Sequence, residues 1–260
     1  MNRLYPYGEA PLVMAHRGGG NEQPENSIVA FEAMRAQGFT YMETDAHVTS
    51  DGVAVISHDP MLDRITDGSG LISHHTWREI SQLRDESGNR LVRVDELLDN
   101  FPELVFNIDA KVDDVVDPLI EAINRTRSGD RVCVASFNEK RLRRVRKRLP
   151  GVATALGVSA IARMVGCARL PGAVGSGLMR SVPGPRKNAE VAQVPEVSHH
   201  VTVVTERFVN LAHHHGIAVH VWTINDIDTV NVLLDMGVDG IITDEPTAVR
   251  DAIRSRGVSL

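Results

Sequence analysis

Tyr41-Met42-Glu43-Thr44-Asp45 and Val53-Ala54-Val55-Ile56-Ser57-His58-Asp59 are the stretches from which the rest of this chain is read. The first reads as a strand ending in two acids, the second as a strand ending in a histidine. Side chains on a strand alternate between faces, so Glu43 and Asp45 project to the same side. Two carboxylates held that close repel each other unless positive charge sits between them. A hard divalent cation, Ca²⁺ or Mg²⁺, prefers such oxygen ligands. The acid pair therefore points to metal chemistry, and the histidine that follows points to proton transfer.

Outward from that stretch, strand and helix signals alternate along the whole chain. Leu12-Val13-Met14-Ala15 is an apolar run that enters the flexible loop His16-Arg17-Gly18-Gly19-Gly20. Helical spacing follows over 27–37 and stops at Gly38. Further strands are predicted over 39–45, 53–57, 104–109, 131–136, 151–156, 190–195, 217–223 and 240–243. Helices are predicted over 94–100, 113–127, 139–149, 203–215, 226–236 and 247–254. The Asp-, Gly- and Ser-rich stretch 59–73, after the second strand region, reads as a small insertion on the functional rim. Residues 157–187 carry little periodicity, with a helix expected over 159–168 and a possible role as an apolar lid.

About eight strand-helix units fit both an open doubly wound sheet and a closed barrel. The polar residues at strand ends separate the two. His16, Glu43, Asp45, Asp109, Ser136, Gln193, Trp222 and Asp244 fall at or just past the C-terminal ends of strands spread over the whole chain. A barrel gathers all those ends on one face, whereas an open sheet scatters the outer ones. The expected fold is an α/β, (β/α)8 TIM barrel, with 1–260 forming a single domain.

Composition limits the function classes. The chain has 260 residues, a formal net charge of -6 and a pI near 6.0, which argues against nucleic acid as a partner. Residues 1–9 lack the apolar run of a signal peptide, and no stretch reaches the roughly 18 apolar residues of a transmembrane segment. The expectation is a cytoplasmic protein with two reduced cysteines, Cys133 and Cys167. The histidine triplet His213-His214-His215 cannot converge on one ion, because adjacent helical residues point about 100° apart; a solvated helix end is expected there. The basic run 141–148 keeps Leu142, Val145 and Leu149 on one side, as an outer barrel helix would. Weak contact with a membrane surface is the other use of such a helix. The oligomeric state has no signature in the sequence.

Phosphodiester cleavage would use these residues well. His16 and His58 can give and take a proton near neutral pH. Arg17 can make two hydrogen bonds to a phosphate. Asp109 can complete a three-carboxylate metal site with Glu43 and Asp45, and Lys111 can offset phosphate charge.

In order and spacing, His16-Arg17-Gly18, Pro24-Glu25-Asn26-Ser27, Glu43-Thr44-Asp45, Asp51-Gly52, His58-Asp59, Asn107-Ile108-Asp109-Ala110-Lys111, Ser136-Phe137, Trp222-Thr223-Ile224-Asn225 and the 237–244 segment Gly-Val-Asp-Gly-Ile-Ile-Thr-Asp resemble the glycerophosphodiester phosphodiesterase family. The resemblance runs from Ala15 to Pro246. It implies a phospholipase-C-like phosphodiesterase barrel that hydrolyses small-molecule glycerophosphodiesters to glycerol 3-phosphate and an alcohol with one divalent cation. It also implies Glu43 and Asp45 as metal ligands, His16 and His58 as the acid/base pair, Arg17 and Lys111 near phosphate, and Trp222 on the pocket wall. Two places depart from the family pattern. Many members carry Glu at the position of Asp109, and Val92-Arg93-Val94-Asp95 replaces an Ile-Pro-Thr-Leu-like tag. The alternatives are a lysophospholipase D acting on lysophospholipids and a non-catalytic phosphate-binding barrel.

Overall fold

The computed structural model describes residues 4–5 and 10–258. The reading of 1–9 as lacking a signal peptide therefore lies outside the described residues, except for Leu4 and Tyr5. In chain order the strands are β1 (Leu12–His16), β2 (Tyr41–Val48), β3 (Ala54–Ile56), β4 (Val105–Ala110), β5 (Val132–Ala135), β6 (Ala153–Ala155), β7 (Ala189–Val194), β8 (Val197–Ser198), β9 (Val201–Thr202), β10 (Ala218–Val221) and β11 (Gly240–Thr243). Eight of them, β1, β2, β4, β5, β6, β7, β10 and β11, pair in parallel. Because β1 bonds both β2 and β11, the sheet closes on itself. The (β/α)8 barrel expected from the strand-end chemistry is the fold observed.

Parallel neighbours require a crossover, and each helix that makes one buries an apolar stripe on the barrel. The helix Ile28–Ala36 is typical. Ser27 Oγ caps it by accepting from Ala30 N (3.1 Å), while Ala30, Phe31 and Met34 are buried. Inside the barrel, Met14, Cys133, Ala153, Val191 and Ala218 form a separate cluster closed below by Tyr5. The small side chains of Ala135 and Ala155 at the tops of β5 and β6 leave the mouth open as a cavity.

Two expectations are corrected. The 53–57 strand is not a barrel stave: β3 pairs antiparallel with a β2 that continues past Asp45 to Val48, setting Ala46 opposite Ile56. The insertion is also larger than 59–73. It leaves the barrel after β3 and returns where Ile56 N donates to Val92 O (2.8 Å), with a small core of its own formed by Val55, Leu62, Ile72, Ile80 and Leu91. Residues 157–187 hold the helix expected over 159–168. They form the helices Val158–Ala168 and Gly172–Leu178, the first packed against the helices Glu139–Arg148 and Glu206–His214. Only Val158 and Ile161 of this segment line the cavity.

The basic helix Glu139–Arg148 buries Leu142 and Val145 as expected, but two of its arginines turn inward. Arg141 donates to Ala110 O (2.6 Å) and Ser136 Oγ (2.8 Å). Arg146 donates to Thr154 Oγ1 and Ala155 O, both at 2.7 Å. These bonds secure the upper ends of β4, β5 and β6. The histidine triplet is not wholly solvated either: His213 Nε2 and Asp239 Oδ2 lie 2.7 Å apart, and His215 Nε2 meets Ser176 Oγ at 3.1 Å. Both cysteines are free and buried.

Candidate active site

Strand register decides which side chains share the mouth. Residues paired across parallel strands face the same way, so His16, Glu43 and Asn107 form one row across β1, β2 and β4. Two residues further along, Asp45 faces Asp109. Lys111, just beyond β4, reaches back between them, with Nζ 2.7 Å from Asp45 Oδ1 and 2.8 Å from Asp109 Oδ2.

His16 Nδ1 lies 2.6 Å from Asp244 Oδ1. An ionised carboxylate can only accept, so Nδ1 carries the proton and Nε2 is left to exchange one. Asp244 is held in turn by Asn225, whose Nδ2 donates to Asp244 Oδ2 (3.0 Å). Burial lowers the His16 pKa, but the Asp244 hydrogen bond and the charge of Glu43 outweigh it, and the net shift is upward. His58 reaches the mouth from the excursion after β3 and repeats the pattern, with Nδ1 2.7 Å from Asp59 Oδ1. Both imidazoles line the cavity, each oriented by an aspartate.

The three acids are buried. Burial, reinforced by the charge of Asp45, pushes the Glu43 carboxyl up to about 8. Burial acts on Asp45 in the same direction, but Lys111 and Arg17 together reverse it and hold that carboxyl below its usual range. Arg17 adopts a left-handed backbone (φ 53), its amide donates to Glu43 O (2.9 Å), and Nη1 donates to Glu25 Oε2 (3.2 Å). Its Nε sits 3.4 Å from Asp45 Oδ2, an ion-pair contact without hydrogen-bond geometry.

As they stand, among the described residues, no three His, Cys, Asp or Glu side chains are grouped to hold an ion. Lys111 Nζ lies between two of the three acids instead. Yet the buried Oδ1 atoms of Asp109 and Asn107 have no hydrogen-bond partner. Free oxygen acceptors beside three clustered carboxyl groups suit a hard cation, so the residues fit a divalent ion.

The cavity measures about 290 Å³ and its wall has two characters. His16, Arg17, Glu43, Asp45, His58, Asp109 and Lys111 make it polar on one side, while Phe137, Leu156, Val158, Ile161 and Trp222 make it apolar on the other. Trp222, just past β10, meets Phe137 edge-on with ring centres 5.7 Å apart. The two-residue turn between β8 and β9 places His199 and His200 at positive φ (47 and 65), and Ser198 of β8 borders the cavity.

All eight residues singled out in the sequence as site candidates line this one cavity. The sequence reading missed the partners that orient them. Asp59 and Asp244 were visible as polar residues beside strand ends, but their pairing with histidines was not. Glu25 lay in the Pro24-Glu25-Asn26-Ser27 motif without an assigned role, and Arg64 had no signal beyond its charge.

Comparison with known proteins places the whole assembly. Residues 16–248 match the model of the glycerophosphoryl diester phosphodiesterase family. A Mycobacterium tuberculosis protein named "Probable glycerophosphodiester phosphodiesterase 2" is 34% identical over 95% of this chain and 92% of its own length. A glycerophosphodiester phosphodiesterase of Caldanaerobacter subterraneus is 30% identical over 95% of this chain and 99% of its own. Among solved structures, an Oleispira antarctica phosphodiesterase in complex with the product sn-glycerol-3-phosphate superposes with a TM-score of 0.78, at 24% identity, covering 94% of this chain and 97% of that one. With the family model spanning nearly the whole barrel and curated relatives matching end to end, the chain belongs to the glycerophosphoryl diester phosphodiesterase family.

Proposed function

We propose that this protein hydrolyses glycerophosphodiesters to glycerol 3-phosphate and an alcohol, with His16 and His58 as the proton-transfer pair and one divalent cation, Ca²⁺ or Mg²⁺, at Glu43, Asp45 and Asp109. The observation that carries this reading is the pair of Asp-oriented histidines opening on the same cavity as the three acids. Cleavage of a P–O ester bond needs one proton taken from the attacking hydroxyl and one given to the departing alkoxide. Two imidazoles with Nδ1 engaged and Nε2 available suit both operations. When bound, the cation would supply positive charge to the phosphoryl oxygens and lower the pKa of the attacking hydroxyl. Arg17, with Nη1 kept on Glu25, would reach the phosphate through its remaining N–H groups, and Lys111 would exchange its contacts with Asp45 and Asp109 for charge-assisted hydrogen bonds to the diester. Trp222 would flank the alcohol side. The free cysteines suit a reducing cytoplasm, and no helix among the described residues is long and apolar enough to cross a membrane.

Purified protein given glycerophosphocholine or glycerophosphoethanolamine with Ca²⁺ or Mg²⁺ is expected to release glycerol 3-phosphate. Absence of release with every divalent ion and headgroup tried would sink the reading.

The apolar wall favours a second substrate class, the lysophospholipids. Phe137 and Val158 are exposed at the rim beside Trp222 and could receive an acyl chain. Turnover of lysophosphatidylcholine with none of glycerophosphocholine would select lysophospholipase D activity instead.

A further inference from the structure

His58 does not ride on a barrel stave, so the strand ladder alone does not hold it against the β1 side of the mouth. A chain of alternating charges spans the gap. Arg17 Nη1 donates to Glu25 Oε2 (3.2 Å), and Arg64 Nη2 donates to the other oxygen of the same carboxylate (2.6 Å). Arg64 Nε donates to Asp59 Oδ2, and Asp59 Oδ1 accepts from His58 Nδ1 (2.7 Å). Glu25 follows β1, whereas Asp59 and Arg64 belong to the excursion. His47 Nε2 also meets the His58 carbonyl (3.2 Å), but that contact fixes backbone and leaves the ring free to turn.

We propose that Arg64 is a positioning residue: through Asp59 and Glu25 it sets the His58 imidazole and the Arg17 guanidinium in one fixed relation across the mouth. It does not line the cavity and acts only through these two carboxylates. The planar fork of a guanidinium can grip two carboxylates from Nε and Nη2 at once, a geometry that a lysine ammonium cannot reproduce. Half the Arg64 side chain is exposed, so its ion pairs add little to stability. Their consequence lies in orientation, where a displacement of about 1 Å can cost about a hundredfold in rate. The proposal rests on the reading of His58 as a proton-transfer group.

The test compares wild type, Arg64→Ala, Arg64→Lys, Glu25→Gln and the Arg64→Ala/Glu25→Gln double variant, with kcat and KM on glycerophosphocholine and the Tm of each. Arg64→Ala is expected to lower kcat roughly tenfold to a hundredfold at nearly unchanged Tm. Arg64→Lys should recover little of the loss, millimolar guanidinium should restore part of it, and the double variant should be no slower than Arg64→Ala. Wild-type kcat in Arg64→Ala, or a loss that tracks Tm and adds to that of Glu25→Gln, would overturn the proposal. NMR of the His58 ring protons reads the same point without turnover: the resonances shift in Arg64→Ala if Arg64 orients the ring and stay in place if it does not. An inactive wild type whose His58 resonances still respond would count against the proposed reaction and not against the positioning role.

Discussion

Asp45 and Asp109 stand opposite one another on neighbouring staves, and the Lys111 ammonium bridges them at 2.7 and 2.8 Å. Burial alone would lower the Lys111 pKa, but the two aspartates outweigh it and raise it above its ordinary value. The lysine thus stands in for part of the positive charge that the acid cluster demands.

Replacing that lysine exposes the demand. Lys111→Met strips buried Asp109 of its ammonium partner and leaves Asp45 with Arg17 alone, and removing one member of a buried pair costs about 3–5 kcal/mol. Thermal unfolding in EDTA should show the loss, and millimolar Ca²⁺ or Mg²⁺ should raise the Tm of the variant more than that of wild type. Equal responses would show that the acids do not share a cation site with Lys111.

Glu43 makes the pH dependence of the metal-free protein testable. A carboxyl raised from 4.5 to about 8 binds its proton more tightly in the folded state. Its contribution to stability therefore falls as pH rises from about 4.5 to about 8. Glu43→Gln removes this titration, so denaturation in EDTA should find the variant gaining on wild type across that window. A constant difference between pH 5 and pH 8 would contradict the shift.

Asp244→Asn addresses the first histidine. The asparagine keeps a single acceptor oxygen, for which His16 Nδ1–H and Asn225 Nδ2–H compete, so the tautomer and orientation of the His16 ring are no longer fixed, and kcat should fall about 10²–10⁴-fold, the range expected for a mispositioned acid or base. The raised His16 pKa means that the His16–Asp244 pair stabilises the fold fully below about 6.5 and that this is lost as pH rises through the higher folded value. The stability lost in Asp244→Asn should therefore be larger at pH 5.5 than at pH 9. A uniform loss would show that His16 is not charged by this contact.

Gly18 and Gly38 separate backbone strain from crowding. Both have positive φ (81 and 85), but a Cβ at Gly18 would lie 2.8 Å from Ala30 Cβ and 3.4 Å from the Phe31 ring, while at Gly38 nothing lies within 4 Å. Gly38→Ala should cost about 1 kcal/mol from φ alone. Gly18→Ala should cost about 1–3 kcal/mol more from overpacking and lower activity as well, because it displaces the loop carrying Arg17. Chemical denaturation and kcat of the pair check both statements.

Legibility in the sequence followed the range of the interaction. The Glu43/Asp45 alternation and the capped helix Ile28–Ala36 are local, and both were readable. The antiparallel turn of β3 back onto β2 was not, because an apolar pentamer carries no sign of strand direction. The β8–β9 turn was hidden too, since His199-His200 lacks the Gly or Asn that usually marks left-handed positions.

By itself the sequence determined the barrel and the eight side chains at its mouth, because strand alternation and strand-end chemistry are written residue by residue. Only the tertiary structure decided how those side chains are charged and aimed. His16 meets Asp244 across 228 positions of chain because closure sets β11 beside β1. His58 meets the β1 side through Arg64 because the excursion folds back over the mouth. Burial and ion pairing depend on what closure brings together, and no local pattern encodes that.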